Sequence, residues 1–154
     1  MSILVGPALH PAHLIPDLKS RSRSSVLCEL ARQAQAVGAT GKPAGLRAAL
    51  LMRERLGSTA VGRGLAVPNA RSLLVSRSLV LLGRSRAGVE WGAADEVPVR
   101  VVLLVISPAE WSAPAHVAAV ARVVTAARSA KARQRLFESD SPAEIADLLA
   151  AVPV

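Results

Sequence analysis

The fold of this chain is decided by one stretch, which reads Gly57-Ser58-Thr59-Ala60-Val61-Gly62-Arg63-Gly64-Leu65-Ala66-Val67-Pro68-Asn69. Gly62 and Gly64 predict a tight turn, because glycine adopts backbone angles that other residues rarely reach. The three apolar residues that follow predict a short strand, which leads to Pro68 and Asn69. The carboxamide of Asn69 can donate and accept hydrogen bonds. It is a very poor nucleophile, because its nitrogen shares its lone pair with the carbonyl group.

Two helices are predicted before this stretch. Apolar residues recur with helical spacing over residues 24–37, and glycines at positions 38 and 41 end that helix. The second helix begins at Pro43, which suits a first helical position, and closes at Gly57. Its apolar face is predicted to include Leu46, Leu50 and Arg53. Arg53 therefore has two interpretations: a long stem that covers the core while its head reaches water, or a guanidinium directed into a pocket.

Strands and then helices are predicted after the stretch. Residues 77–83 and 89–91 have strand character, and the nearly continuous apolar run over residues 97–106 predicts a central strand covered on both faces. Helices follow at about 113–128, at about 130–137 and from Ser141, where a capping box begins. This order predicts an α/β fold in which helices sandwich a mixed β-sheet. We expect a single domain over residues 1–154, with an irregular N-terminal segment over residues 1–22.

Composition narrows the classes of function. The formal net charge is +8, yet the basic residues are scattered and no aromatic residues are interleaved among them for base stacking, so nucleic-acid binding is disfavoured. Cys28 is the only cysteine, which suits a reducing compartment. No apolar run approaches the roughly 20 residues of a membrane helix. We therefore expect a cytoplasmic protein without a membrane span, and we predict no cofactor and no metal site.

Further motifs flank the opening stretch. Arg53-Glu54-Arg55-Leu56 precedes it, a Val89-to-Asp95 segment with a Pro98-Val99 pair follows it, and His116 lies 47 positions after Asn69. Together these motifs resemble the IIA domains of the bacterial phosphoenolpyruvate-dependent phosphotransferase system, of the fructose/mannitol and nitrogen-regulatory type. The resemblance covers about residues 15–152. Family members read roughly G-S-T-G-I-G-x-G-I-A-I-P-H, and the final histidine carries the phosphoryl group. Asn69 occupies that position here.

The resemblance implies roles for the site residues. Asn69 takes the acceptor's place, His116 takes the place of a supporting histidine that hydrogen-bonds the phosphoryl oxygens, and Arg53 takes the place of the cation that neutralises them. With Ser58 and Thr59 these residues would form an anion pocket. Independently of the resemblance, His116 falls in the first turn of a predicted helix, where free N–H groups and the helix dipole favour an anion. Two further arginines, Arg63 and Arg71, are expected to flank the site.

Three hypotheses on function remain open at this point. The first is a IIA-like regulatory protein of the nitrogen-regulatory type, which binds a histidine phosphocarrier protein or a regulatory target without taking phosphate on Asn69. The second is an active phosphocarrier in sugar transport or regulation, either with phosphate on His116 or with Asn69 as an engineered replacement of histidine. The third is a basic nucleic-acid-binding module. Labelling by phosphoenolpyruvate and the general phosphotransferase proteins would separate the first two.

Overall fold

The computed structural model describes residues 13–150 of the chain. This part of the chain contains six strands and five helices, in the order strand, two helices, five strands and three helices. The strands are β1 Leu14–Ile15, β2 Ala60–Gly62, β3 Leu65–Ala66, β4 Asn69–Ser72, β5 Leu79–Val89 and β6 Val99–Pro108. The helices are α1 Arg23–Ala36, α2 Pro43–Arg55, α3 Ala113–Ala126, α4 Ala130–Glu138 and α5 Pro142–Ala150.

The strands form one mixed sheet around β6. The order is β1-β5-β6-β3-β2, and β4 also pairs with β6 beyond the end of β3. β5 runs antiparallel to β6, whereas β3 and β4 run parallel to it. Nine of the ten residues of β6 are buried, as expected for a central strand covered on both faces. The predicted α/β fold with a mixed sheet between helices is therefore confirmed.

Alternate residues of β6 supply two separate cores. Val102, Leu104 and Ile106 pack into the core on the side of α1 and α2. Their neighbours Leu103 and Val105 pack into the core on the side of α3, α4 and α5. This alternation follows from the period of two in a strand, in which successive side chains point to opposite faces. Within residues 13–150, no helix combines the length and the apolar character that crossing a membrane requires.

The strands differ from the sequence predictions in four places. Leu14–Ile15 forms a parallel edge strand beside β5, within the segment expected to be irregular, whereas residues 1–12 lie outside the described part. The two strands predicted at 77–83 and 89–91 are largely one strand, β5, with an irregular register between Arg84 and Val89. Neither β2 nor β4 was predicted. Strands of two to four residues carry too little periodicity to be recognised in a sequence.

The buried face of α2 also differs from the prediction. Its buried residues are Leu46, Leu50 and Glu54, whereas Arg53 is only half-buried. The buried stripe therefore continues in steps of four residues and ends on a carboxylate. The prediction missed this because a charged residue at an apolar position is assumed to face water, and Glu54 is instead held by buried donors.

Candidate functional site

The structure brings Asn69 and His116 into direct contact. Asn69 begins β4 and pairs in register with Val105 of the central strand. His116 lies in the first turn of α3, which Ser112 caps by accepting a hydrogen bond from the backbone N–H of Ala115. His116 Nε2 is 3.0 Å from Asn69 Oδ1. The side chains are largely enclosed, since Asn69 is 8% exposed and His116 is 7% exposed.

Hydrogen bonds determine which ring nitrogen of His116 carries the proton. Asn69 Nδ2 donates to the carbonyl oxygen of Val67 at 3.0 Å, so the amide oxygen of Asn69 faces the ring. That oxygen can only accept, and His116 Nε2 must therefore donate to it. The other nitrogen, Nδ1, lies 2.8 Å from Ser107 Oγ. Because burial lowers the pKa of His116, the ring favours its neutral form, in which Nδ1 accepts a hydrogen bond from the Ser107 hydroxyl. Both ring nitrogens are then engaged.

Ser107 was not singled out in the sequence analysis. It is fully buried near the end of β6. The available signal was a hydroxyl residue following directly on a continuous apolar strand, because a buried hydroxyl needs a hydrogen-bond partner. Here the partner is the imidazole of His116, which Ser107 holds in one tautomer.

Two arginines act on His116 from neighbouring segments. Burial lowers the pKa of His116 from its usual 6.5, and the charges of Arg71 and then Arg53 lower it further. Arg71 donates to the carbonyl oxygens of Ala109 and Trp111, both at 2.9 Å. Arg53 donates to the carbonyl oxygen of Gly57 at 2.9 Å. Both guanidinium groups are therefore anchored within electrostatic range of the imidazole.

Arg63, in contrast to Arg53 and Arg71, lies away from His116. It lies in the turn between β2 and β3, where its backbone N–H donates to Asp95 at 2.7 Å. Asn69 is six residues further along the chain, and β3 and β4 carry the backbone away from the turn at roughly 3.3 Å per residue. Arg63 therefore belongs to the far end of this part of the sheet, and the expectation that it flanks His116 does not match its position.

Thr59 and Ser58 are engaged in a buried network centred on Glu54. The backbone N–H of Thr59 donates to Glu54 Oε2 at 3.0 Å, and the Thr59 hydroxyl donates to Glu54 Oε1. Trp91 Nε1 donates to Glu54 Oε1 at 3.3 Å, and Ser58 Oγ donates to the Trp91 carbonyl oxygen at 3.3 Å. Arg23 completes the network, 3.8 Å from Glu54. These donors of Ser58 and Thr59 therefore fix the loop after α2, and they are not free to bind an anion.

Comparison with known proteins assigns the chain to a family. The model of the family described as "Phosphoenolpyruvate-dependent sugar phosphotransferase system, EIIA 2" matches residues 8–152. The chain belongs to this family. Among residues 13–150, no three His, Cys, Asp or Glu side chains converge in a group that could hold a metal ion.

Individual relatives of this IIA-family chain differ in length. It is 31% identical over 143 residues to a nitrogen regulatory protein of Bradyrhizobium diazoefficiens, covering 93% of this chain and 92% of that protein. It is 27% identical over 133 residues to the fructose-specific EIIABC component of Bacillus subtilis, covering 86% of this chain but only 21% of that protein. The chain is thus comparable in length to the regulatory protein, whereas it spans a small part of the multidomain component.

Solved structures show the same fold. The nitrogen regulatory protein IIA-Ntr from Neisseria meningitidis matches with a TM-score of 0.84 and 24% identity, covering 96% of this chain and 99% of that one. Enzyme IIA mannitol of Escherichia coli, solved in complex with its phosphorylated enzyme IIB, matches with a TM-score of 0.77 and 21% identity, covering 93% and 97%. At these identities the likeness establishes the architecture of the IIA-family chain.

The His116 ring gives a pH-dependent prediction. Because its pKa is lowered from 6.5, we expect its NMR ring signals to titrate with a midpoint below that value. The unfolded chain then takes up the proton first as the pH falls, so the contribution of His116 to stability is fully present above about pH 6.5 and is lost as the pH falls through the lowered pKa. Arg71→Gln should raise the midpoint by removing a nearby positive charge. A midpoint at or above 6.5 in the unaltered chain would contradict the neutral, enclosed ring.

Proposed function

We propose that this chain is a regulatory IIA domain of the nitrogen-regulatory type that binds a partner protein without taking phosphate on residue 69. The contact of Asn69 with Val67 and His116 carries the proposal. The amide nitrogen of Asn69 donates to Val67, and its lone pair is delocalised into the carbonyl group. A phosphoryl acceptor needs a nitrogen with a free lone pair, as a neutral imidazole has. Asn69 keeps the polar contact of such a site without the nucleophile.

The hydrogen bonds of His116 argue against the alternative that this residue takes the phosphate. In the neutral ring, its Nε2–H donates a hydrogen bond to Asn69, and its Nδ1 accepts a hydrogen bond from Ser107. Attack on phosphorus by either nitrogen would first require the loss of one of these buried hydrogen bonds. Breaking such a bond leaves an enclosed polar group without a partner, at a cost of about 1–3 kcal/mol. The arrangement therefore supports a binding role for His116.

The proposal also includes an anion pocket beside His116, formed by fewer residues than the resemblance implies. Arg53 and Arg71 supply positive charge, and the first turn of α3 supplies a favourable dipole. Ser58 and Thr59 fix the loop after α2 through Trp91 and Glu54 and are no longer assigned to the pocket. In this proposal the pocket holds a phosphoryl group presented by a partner. Addition of inorganic phosphate should move the His116 ring signals in the same NMR experiments.

Exposed apolar side chains on the segments that carry the site offer a docking surface. Leu56 is 82% exposed three residues after Arg53, Leu73 is 91% exposed just beyond β4, and Val117 is 64% exposed beside His116. Met52, next to Arg53, is 56% exposed. Single exposed apolar residues are ordinary, but several around one polar site are typical of a protein interface. We refer to Met52, Leu56, Leu73 and Val117 as the apolar rim.

A histidine phosphocarrier protein or a regulatory target protein is the partner class proposed for the apolar rim. The mannitol relative, whose structure contains its IIB partner, supports the view that this fold is suited to docking another phosphotransferase protein. The partner would use apolar contacts around the rim and negative charge at the central pocket. Neither contact requires a covalent step on this chain.

Introducing a charge into the rim tests the docking. We expect Leu73→Asp to weaken binding of a phosphocarrier protein by roughly tenfold or more, since a buried interface contact is lost and a carboxylate is desolvated. NMR titration of the isotope-labelled chain would measure it. Val97→Asp is the matched control, because Val97 is also exposed but lies beside the turn between β2 and β3. Equal affinities of the two variants would contradict the apolar rim as the docking surface. Transfer of phosphate to the unaltered chain would contradict the regulatory proposal.

A further inference from the structure

A second concave region lies between the turn joining β2 to β3 and the segments that follow α3. It consists of two adjoining cavities of about 530 Å³ and 340 Å³, which share the side chains of Arg63, Leu65 and Arg133. Arg128 lines the first cavity, and Arg100 lines the second. We call this region the arginine groove and define it by Arg63, Arg100, Arg128 and Arg133.

The charge of the arginine groove is unbalanced. Within residues 13–150, no Asp or Glu lines either cavity, and none of the four arginines forms an ion pair with a carboxylate. The carboxylate of Asp95 lies outside both linings. It accepts hydrogen bonds from the backbone N–H groups of Arg63 and Val97, and the charge of Arg63 also helps to lower its pKa. A neighbouring cavity of about 770 Å³, which shares Arg100 with the groove, is by contrast lined by three arginines and three carboxylates. Arg133 donates a hydrogen bond to the carbonyl oxygen of Arg128, which partly satisfies its guanidinium group. The positive charges of four arginines around one groove favour an anion between them.

The backbone at Arg63 adopts a left-handed conformation. Arg63 has a φ of 56°, between Gly62 at 91° and Gly64 at 82°. Glycine adopts this left-handed region freely, whereas a residue with a Cβ is strained there. A charged residue is thus placed at the tip of the turn in a conformation that glycine would adopt more easily. Strain of this kind clusters at binding sites, where it positions a side chain.

The arginine groove is separate from the Asn69–His116 site. His116 lies in the first turn of α3, and Arg128 lies two residues beyond the last residue of that helix. Twelve residues at about 1.5 Å each place the two positions roughly 18 Å apart along the helix. A ligand in the groove would therefore not touch the imidazole, and this inference stands independently of the proposed function.

We infer that the arginine groove binds a nucleoside polyphosphate. A chain of phosphates concentrates several negative charges within a few ångströms and accepts hydrogen bonds from guanidinium forks. The cavity volumes fall in the usual range for small-molecule sites, about 300–1,000 Å³. Leu65, Val97, Pro98 and Phe137 form an apolar wall against which the nucleoside can pack. Phe137 is the only aromatic side chain in the lining, so the stacking platforms of a single-stranded nucleic-acid site are missing from it.

Calorimetric titration of the full chain with ADP, in the absence of divalent metal, tests this inference. We expect saturable binding that Arg63→Gly weakens by roughly tenfold or more, as removal of a charge-assisted hydrogen bond does. Arg63→Gly also relieves the strained backbone, so its melting temperature should not fall, and loss of binding cannot be attributed to unfolding. Arg32→Ala is the matched control, because it removes one exposed arginine from α1 on the opposite face of the sheet.

Binding of three further molecules is compared with that of ADP to establish which class of ligand the arginine groove prefers. Inorganic pyrophosphate should bind more weakly than ADP, because it cannot use the apolar wall. A short glutamate-rich peptide and a single-stranded oligonucleotide should also bind more weakly. No binding of ADP, equal binding by Arg63→Gly, equal binding of pyrophosphate, or tighter binding of the peptide or the oligonucleotide would each overturn the assignment.

Discussion

We expect Asn69→His to accept phosphate from a phosphorylated histidine phosphocarrier protein, whereas the unaltered chain should accept none. The change supplies an imidazole at the start of β4, where His116 Nε2 already points at the side chain of residue 69. In the proposed site, Arg53 and Arg71, whose charges already act on His116, would neutralise the phosphoryl oxygens. The expected effect is from no labelling to close to one phosphoryl group per chain. Intact-protein mass spectrometry over time would measure it.

Two companion variants make this prediction specific. Asn69→Gln keeps an amide at the same position and should stay unlabelled. His116→Gln, added to Asn69→His, should slow the labelling, because the donor to the phosphoryl oxygens changes. A folded Asn69→His chain that accepts no phosphate would mean that the loss of the acceptor was not the only change at this site.

Glu54→Ala should destabilise the fold by about 3 kcal/mol, because buried donors to a carboxylate lose their acceptor. Glu54 is 4% exposed and accepts hydrogen bonds from Thr59 and Trp91. For a chain of this length the loss corresponds to a fall in melting temperature of roughly 6–12 °C. Thermal unfolding followed by circular dichroism would measure the fall.

Arg55→Ala is the matched control for Glu54→Ala. Arg55 is the next residue of α2 and is exposed, so the same truncation to alanine should change stability by less than about 0.5 kcal/mol. If Glu54→Ala were as stable as Arg55→Ala, the Glu54 network would have no structural importance. The fixed loop over residues 57–60 would then need another explanation.

The sheet and most helices could be predicted because their patterns are long. The apolar run over residues 97–106 predicts a strand covered on both faces, and β6 occupies Val99–Pro108 at the centre of the sheet. Pro43 and the Ser141 capping box predict helix starts for a local steric or hydrogen-bonding reason, and α2 begins at Pro43 and α5 at Pro142. Such signals act within a few residues and need no knowledge of the tertiary structure.

The candidate site could be predicted only in part, because some of its contacts are not local. The resemblance pointed to Asn69 and His116. The signal for Ser107, a hydroxyl directly after an apolar run, indicates a buried hydrogen bond but does not name the imidazole of His116 as its partner. Glu54 was missed because a carboxylate is stable in a core only when distant donors, here Thr59 and Trp91, satisfy it. Spacing along the chain does not reveal such partners, since Glu54 and Trp91 are 37 positions apart.

The central claim is that Asn69 leaves this IIA-family chain unable to accept phosphate. Its most direct test is the intact mass of the unaltered chain after incubation with phosphoenolpyruvate and the general phosphotransferase proteins, beside Asn69→His under the same conditions. We predict an unchanged mass for the unaltered chain and a phosphorylated species for the variant. A phosphoryl group on any histidine of the unaltered chain, His116 included, would contradict the claim.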